Sequence, residues 1–300
     1  MYEHFTSQLR EKQLASLIAS NNIQNVMKPQ IDKLTLLFDF RYPEKNISTI
    51  CKHNDYISEH PSKNRRLGYQ YTLETASGLH IDIAPFKHKT LQNCRIEFNP
   101  NKFNPVDTLF HTLLLCAKNI RISRIDYNID YPIDLSIYQW QTEKARTQVL
   151  FVSPTNQLET LYLGKSSSAD FYRIYDKAAE LRKTQPEQLQ PTTPLWRIEH
   201  VFKLDTKTST RQIKPFNSLY GWTPDTFTGD YHDDLILRDL HANPTNFNRL
   251  STRKRASYRQ MMKDHKRTVH PQEHPEKIYL THCQPLHDFL YHLTTRTPLS

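Results

Sequence analysis

The chain is organised around the segment Leu158-Glu-Thr-Leu-Tyr-Leu-Gly164 and the segment Phe171-Tyr-Arg-Ile-Tyr-Asp-Lys177, which follows it after a short loop. Residues 158–163 and 171–176 are rich in aliphatic and aromatic side chains, whereas residues 164–170 are small and polar. Two such runs joined by a polar loop predict a β-hairpin.

Alternation along the second strand predicts which side chains share a face. One side carries Phe171, Arg173, Tyr175 and Lys177, and the other carries Tyr172, Ile174 and Asp176. A tyrosine flanked by two cations has a lower cost of forming a phenolate and lies where a phosphate is attracted, as a nucleophile acting on DNA requires. The alternative is structural, since tyrosine and arginine are ordinary residues on half-exposed strands.

A second polar strand face is predicted upstream. Residues 121–131 alternate cleanly, so that one face carries Arg124, Asp126, Asn128 and Asp130. Carboxylates aligned on one face suit a divalent cation, which prefers oxygen ligands. The alternative is that Asp126 and Glu199 pair with Arg124 and Arg197 of their own strands.

The order of these short motifs resembles that of the trans-acting rolling-circle replication initiators, which include plasmid and filamentous-phage initiators and related conjugative relaxases. The resemblance rests on motifs between residues 121 and 205: Arg124-Ile-Asp126, Tyr162-Leu-Gly164, Arg173-Ile-Tyr175-Asp-Lys177 with Glu180, and Trp196-Arg-Ile-Glu199. It implies that Tyr175 is the nicking tyrosine, that Arg173 and Lys177 are its basic partners, and that Glu199 is an acidic residue of the site.

The metal expected for this chemistry is Mg²⁺ or Mn²⁺, held by Asp126 and Glu199, with Asp130 as a further candidate. His80 in His80-Ile-Asp82 is another candidate ligand. Relatives that bind metal through histidine use a His-hydrophobic-His strand, which this chain lacks, so His80 has the alternative of a surface or hydrogen-bonded residue.

The resemblance implies an enzyme that nicks one DNA strand at an origin, forms a 5′-phosphotyrosyl bond and a 3′-hydroxyl primer, and rejoins strands. The partners it implies are single-stranded and duplex origin DNA and a host helicase, with a homodimer as a further expectation. Two alternatives stay open: a relaxase acting in conjugative transfer by the same chemistry, and a non-enzymatic origin-binding protein whose tyrosines are structural.

Composition agrees with a nucleic-acid partner. The 300 residues carry a net charge of +9 and a pI near 9.2, which favours a polyanion. We expect no membrane association, because no apolar span near 18 residues occurs. The four cysteines have no paired spacing, and no signal peptide is evident at residue 1, so we expect a cytoplasmic protein.

The remaining N-terminal elements are read from local pattern. A helix is predicted over 6–20, strands over 34–40, 67–76, 79–84 and 94–99, a surface excursion over 41–66, and a helix over 104–120 that packs on the sheet. The basic cluster at 63–66 contacts a phosphate backbone in one interpretation and is a solvated loop in the other.

The phrase Arg-Ile-acid occurs three times, at Arg95-Ile-Glu97, Arg124-Ile-Asp126 and Arg197-Ile-Glu199. It indicates either a duplicated strand-strand-helix unit or chance, because three-residue matches are common.

Beyond residue 205 the chain becomes basic and mainly helical. Helices are predicted over 233–240, 251–270 and 286–294, with a break at 271–275. The second is a candidate DNA-binding helix, with a solvated basic helix as the alternative. Its candidate contacts are Arg253, Lys254, Arg255, Arg259, Lys263, Lys266 and Arg267.

The fold class expected is therefore α+β. We predict an N-terminal helical extension at 1–30, a catalytic nicking domain with an antiparallel sheet and packed helices at 31–205, and a basic, mainly helical DNA-binding region at 206–300.

Overall fold

Alternating apolar and polar segments build one large antiparallel sheet, seen in a computed structural model of the chain. The structure describes residues 30–40, 56–76, 78–84, 92–102, 110, 113, 117–142, 147–155, 157–187, 191, 193–205, 213–222, 230–266 and 275–276.

Twelve strands are present in the described part of the chain. Ten of them form the main sheet: β1 Gln30–Asp39, β2 Tyr56–Pro61, β3 Tyr71–Thr75, β4 His80–Ile83, β5 Cys94–Phe98, β6 Lys118–Tyr131, β8 Gln148–Val152, β9 Leu158–Leu163, β10 Asp170–Asp176 and β11 Trp196–Lys203. The other two, β7 Gln139–Thr142 and β12 Leu219–Trp222, pair as a separate ribbon. The predicted α+β class with an antiparallel sheet is confirmed.

The strand order has an internal symmetry. It runs β2-β3-β4-β5-β1 in one half and β6-β11-β10-β9-β8 in the other. From the centre of the sheet outward, the first half runs β1-β5-β4-β3-β2 and the second half runs β6-β11-β10-β9-β8. In each half the innermost strand comes first in the chain, the next strand comes last, and the remaining strands follow in reverse chain order. The repeated unit is therefore a five-strand arrangement and not the strand-strand-helix unit that the repeated phrase suggested.

One face of the sheet is apolar and the other is polar. The apolar face buries Leu36, Ile96, Ile125, Ile174 and Ile198 completely. Burial of such side chains contributes about 1.5–3 kcal/mol each, so this face holds the sheet together. The same core includes Phe110 and Leu113, which are helical, and confirms that a helix packs on the sheet.

The described residues also include three helices with defined ends: α1 Lys177–Thr184, between β10 and β11, and α2 Tyr231–Ala242 and α3 Thr252–Lys266, after the last strand. A 3₁₀ turn, Pro244–Arg249, joins the last two. Helices α2 and α3 share a small core of Leu237, Leu240, Tyr258 and Met262, apart from the core of the sheet. The helices predicted over 233–240 and 251–270 are confirmed within the described residues.

Several predictions change in detail. The helix predicted over 104–120 cannot reach its predicted end, because 118–120 begin β6; residues 103–109 lie outside the described residues. The surface excursion at 41–66 contains edge strand β2, whose pairing with β3 supplies the order that its polar sequence lacks. The strand predicted from residue 67 starts at Tyr71, because Arg65–Leu67 is a 3₁₀ turn closed by Gly68 at φ 95°.

Other predictions lie outside the described residues, namely the helices over 6–20 and 286–294, the part of the surface excursion at 41–55, and Arg267. The boundary near 206 stays a prediction. Ile213, Phe216 and Leu219, from the segment 213–222, are part of the core of the sheet. Among the described residues, no helix has the length and apolar composition needed to cross a membrane.

Candidate active site

The predicted hairpin is present and its polar face carries the candidate site. Strands β9 and β10 pair directly, and β11 and β6 continue the sheet beside β10. Two rows of side chains cross these strands in register: Thr160, Tyr175, Arg197 and Asp130 form one, and Tyr162, Arg173, Glu199 and Asn128 form the next. Strand pairing thus brings together Tyr175, Arg173 and Glu199.

Glu199 is the centre of this arrangement. Its side chain is 2% exposed and accepts a hydrogen bond from the Tyr175 hydroxyl at 2.7 Å through Oε1. Its other oxygen, Oε2, accepts from Arg173 Nε at 2.7 Å and from Arg173 Nη2. A buried carboxylate needs such partners, because burying an unpaired charge is costly. The phenol, the carboxylate and the guanidinium therefore form one connected unit.

The electrostatics of Tyr175 differ from the prediction. The guanidinium of Arg173 lies 5.5 Å from the ring centroid, and the Lys177 ammonium lies 5.9 Å from it. Burial, followed by the charge of Glu199, nevertheless raises the pKa of Tyr175 above its ordinary value near 10. The expectation that the two cations make the phenolate accessible is wrong here, because desolvation and the adjacent carboxylate outweigh them.

Lys177 lies at the start of α1 and not on the strand. Asp176 caps this helix by accepting a hydrogen bond from the Ala179 backbone N–H at 2.9 Å. Lys177 pairs with Glu180 one turn later. The lysine is therefore placed beside Tyr175 by the helix, with its charge partly balanced by Glu180.

A second ion-pair unit lies next to Tyr175. Arg197 donates to Asp130 through Nε at 2.5 Å and through Nη2 at 2.7 Å, and its Nη1 donates to Asp32 at 3.1 Å. Burial opposes the charge of Arg197, but the Asp130 hydrogen bond and charge raise its pKa. Asp32 belongs to β1 and was not predicted, because only the packing of β1 against β6 brings it here.

Asp126, the other predicted metal ligand, is held by an arginine. Arg124 donates to it through Nε at 2.6 Å and through Nη2 at 2.7 Å. The sequence offered ion pairing with Arg124 as the alternative to metal binding for Asp126, and the structure shows this pair. For Glu199 the alternative partner was Arg197, but the structure pairs Glu199 with Arg173. Within the described part of the chain, no three or more His, Cys, Asp or Glu side chains are arranged to hold a metal. The side chains as arranged do not fit the predicted ion.

His80 lies away from the site. It belongs to β4, which four strands separate from β10. Its side chain is 51% exposed, and its Nδ1 lies 3.1 Å from Glu74, which also contacts His60. The surface alternative describes His80 better than the ligand interpretation.

Asn128 is a site residue that no role was predicted for. It is 1% exposed and lies in register with Glu199. Its amide nitrogen has no hydrogen-bond partner among the described residues. The alternation of residues along β6 predicted that Asn128 lies on the polar face. Its burial and its unpaired amide nitrogen could not be predicted from the sequence.

The candidate DNA-binding residues on α3 divide into two groups. Arg253 and Lys254 are exposed. Arg255 is half-buried and its Nη2 donates to the carbonyl of Leu250 at 3.2 Å, and Arg259, although exposed, lies over the Phe247 ring at 5.2 Å. The side chains of Lys263 and Lys266 lie outside the described part.

The chain is similar to replication initiation proteins. One from Staphylococcus aureus is 30% identical over 176 residues, covering 57% of this chain and 55% of the relative. A second from the same organism is 28% identical over 176 residues, covering 58% and 55%. The match spans about half the length of these curated relatives. They confirm the predicted resemblance to replication initiators.

A rolling circle replication initiator protein of solved structure, from Geobacillus stearothermophilus, aligns with a TM-score of 0.39 and 17% identity over 59% of this chain and 74% of that one. No protein-family model matches the chain.

Proposed function

We propose, from its relation to replication initiation proteins, that the chain nicks one strand of origin DNA in rolling-circle replication, with Tyr175 as the nucleophile. The observation that supports this most is the Tyr175 hydroxyl, hydrogen-bonded at 2.7 Å to a buried carboxylate. A phenol with a raised pKa needs a base to remove its proton as it attacks, and Glu199 occupies that place.

In the proposed reaction the Tyr175 oxygen attacks the scissile phosphorus while its proton passes to Glu199. A phosphotyrosyl bond forms to the 5′ side and the phosphorus–O3′ bond breaks. The leaving 3′-oxygen takes a proton from solvent and becomes a 3′-hydroxyl, while Glu199 later releases its proton to solvent. Attack by a 3′-hydroxyl on the phosphotyrosyl bond reverses these steps and rejoins DNA, because the phosphodiester bond is exchanged and not hydrolysed.

Arg173 has a second role in this scheme. Its side chain is 40% exposed although it is bound to Glu199. When Glu199 takes the proton, its attraction for the guanidinium falls, and Arg173 becomes available to the non-bridging phosphate oxygens. Stabilising charge that develops in the transition state is commonly a large contribution to catalysis.

Mg²⁺ or Mn²⁺ dependence stays a prediction of the resemblance. Asp126 and Glu199 are the predicted ligands, but both are bound by arginines, so no step of the scheme is assigned to the ion. Chelation by EDTA should stop cleavage, and added Mn²⁺ should restore it, if the prediction is right. Cleavage at full rate in excess EDTA would contradict it.

The test of function is the Tyr175→Phe variant, which removes one oxygen atom. We expect no covalent DNA–protein adduct, with duplex binding retained. Single-stranded oligonucleotides that tile the DNA flanking the gene are incubated with the protein and Mn²⁺, and adducts are resolved on a denaturing gel.

Tyr172→Phe is the matched control. Its hydroxyl lies on the opposite face, 3.1 Å from Ser218, so its loss should cost about 1 kcal/mol of stability and leave cleavage intact. Adduct formation by Tyr175→Phe would remove Tyr175 from the reaction. A wild-type chain that binds the origin but gives no adduct on any oligonucleotide would instead be an origin-binding protein.

A further inference from the structure

The outer edge of the sheet next to the site is unusually apolar. Strand β8 is the end strand, and its side chains Val149, Leu150, Phe151 and Val152 are 41%, 58%, 47% and 50% exposed. Edge strands usually carry charges or proline, and a contiguous exposed apolar patch commonly marks a binding surface.

Phe151 belongs to the same cross-strand row as the proposed nucleophile. It is in register with Thr160 of β9, which is in register with Tyr175 of β10. Neighbouring strands lie about 4.8 Å apart, so the backbones of Phe151 and Tyr175 are about 10 Å apart on one face. Leu150 lies on the opposite face, because side chains alternate along β8.

The difference in size between neighbouring side chains of this row defines what we call the trough. Thr160 is small and half-buried, and a larger aromatic ring stands on each side of it, Phe151 and Tyr175. The ring of Phe151 is held edge-to-face against Tyr162, with centroids 5.2 Å apart. Tyr162 in turn packs at 5.5 Å against Phe171, which is buried. Phe151 is therefore an exposed ring with a supported position.

Positive charge lies along the next row. Tyr162 is in register with Arg173, whose side chain is 40% exposed. A flat apolar ring two strands away from a nucleophile, with a cation in the next row, matches a nucleotide, which has a flat base and an anionic phosphate. A base can occupy the trough only when it is unpaired and unstacked from its neighbour.

We infer that an unpaired nucleobase next to the scissile phosphate binds over Thr160 and stacks on the Phe151 ring. This rests on the proposed function and adds to it a base-binding subsite on β8 and β9. Stacking on an aromatic ring is sequence-tolerant, because every base has a π-face. The subsite would therefore select single-stranded over duplex DNA without selecting a sequence.

The experiment measures how much the bases contribute to binding. All chains carry Tyr175→Phe so that no cleavage occurs. Affinity is measured for an oligothymidylate and for an abasic oligomer of the same length. With Phe151 present, we expect the oligothymidylate to bind more tightly; with Phe151→Ala added, this preference should fall about tenfold, while affinity for the abasic oligomer stays unchanged.

Two variants make the test specific. Phe151→Trp keeps a ring and should keep the preference, whereas Leu150→Ala removes a similarly exposed side chain from the opposite face and should change nothing. A preference that survives Phe151→Ala, or an equal loss for both oligomers, would overturn the inference.

Two further results are informative. Dissociation of a dimer by Phe151→Ala and Leu150→Ala alike, seen by sedimentation, would assign β8 to contact between two copies and overturn the base subsite. Adduct formation by the chain that retains Tyr175 is measured separately. If an adduct forms but binding shows no preference for bases, only the base-binding subsite is contradicted. If no adduct forms and neither oligomer binds, the proposed function is contradicted as well.

Discussion

At the residue scale, the candidate site depends on one buried acid. Tyrosine and arginine are common on strands, and their presence at 175 and 173 alone indicates little. What marks this position as a candidate site is buried Glu199, which accepts hydrogen bonds from the Tyr175 hydroxyl and from the Arg173 guanidinium. Burial, followed by the charge of this carboxylate, raises the pKa of Tyr175, and in the proposed reaction the same carboxylate is the base that removes its proton.

Glu199→Gln separates these two effects. The amide cannot accept the phenolic proton as a base, so we expect cleavage to fall by about 10²- to 10⁴-fold. The loss of negative charge should also lower the pKa of Tyr175 relative to the wild type, because that charge is one of the two main causes of the rise. Single-turnover cleavage and an ultraviolet titration of tyrosinate measure the two consequences.

Glu180→Gln is the control for that variant, since Glu180 is exposed to 41% and bound to nearby Lys177. It should cleave at close to the wild-type rate. Wild-type cleavage by Glu199→Gln would exclude Glu199 as the base.

At the element scale, the symmetric strand order explains why the same phrase occurs twice. Arg95-Ile-Glu97 on β5 and Arg197-Ile-Glu199 on β11 occupy equivalent strands of the two halves. In the first half, Asp82 of β4 is in register with Arg95. At the equivalent position of the second half, Tyr175 of β10 is in register with Arg197. The first half therefore holds an ion-pair row with no phenol. Arg124-Ile-Asp126 is on β6, whose counterpart is β1, so the third occurrence is not part of this symmetry.

The acid of the first half should contribute to stability. Glu97 accepts from Lys33 at 2.8 Å and contacts Arg95. Burial acts to raise its pKa, but Lys33 and Arg95 outweigh it and lower the pKa below the ordinary value of 4.5. A depressed pKa stabilises the fold above the unfolded value, and this contribution is lost as the pH falls through the folded value.

Glu97→Gln should therefore reduce the free energy of unfolding at neutral pH by about 1–3 kcal/mol. The difference from the wild type should shrink as the pH falls below 4.5. Urea denaturation of both proteins, at neutral pH and below pH 4.5, measures this difference in the free energy of unfolding. A difference that stays constant across this range would show that the charge of Glu97 is not the cause.

Local pattern predicted the strands whose alternation is strong, such as β6, β9 and β10. It did not predict β2 as a strand, since that edge strand is ordered by pairing with β3 more than by its own sequence. Motif resemblance predicted roles for Tyr175, Arg173 and Glu199; the structure brings these side chains into contact, and their roles stay predictions. The Arg197 contacts to Asp130 and Asp32 could not be predicted, because register between distant strands is set by the whole sheet.

At the scale of the whole molecule, the positively charged residues fall into two groups: arginines paired with carboxylates on the sheet, and cations that lie elsewhere. On the polar face of the sheet, Arg95, Arg124, Arg173 and Arg197 are each paired with carboxylates. The net charge of +9 therefore depends on cations elsewhere. Helix α3 carries several, and because Arg255 and Arg259 contact their own helical unit, Arg253 and Lys254 are the better candidates for DNA.

Replacing both Arg253 and Lys254 by Ala should weaken duplex binding and flatten its salt dependence, by about one unit of log–log slope for each phosphate that the protein no longer neutralises. Cleavage of a short single-stranded oligonucleotide should persist, because it needs only the sheet face with Tyr175. The matched control replaces exposed Lys102, in the turn after β5, and exposed Lys118, at the start of β6; it removes the same charge away from α3 and should leave the slope unchanged. Equal loss of both activities would mean that α3 completes the catalytic groove. An unchanged slope would mean that Arg253 and Lys254 do not touch DNA, and that the positive charge of α3 is simply solvated.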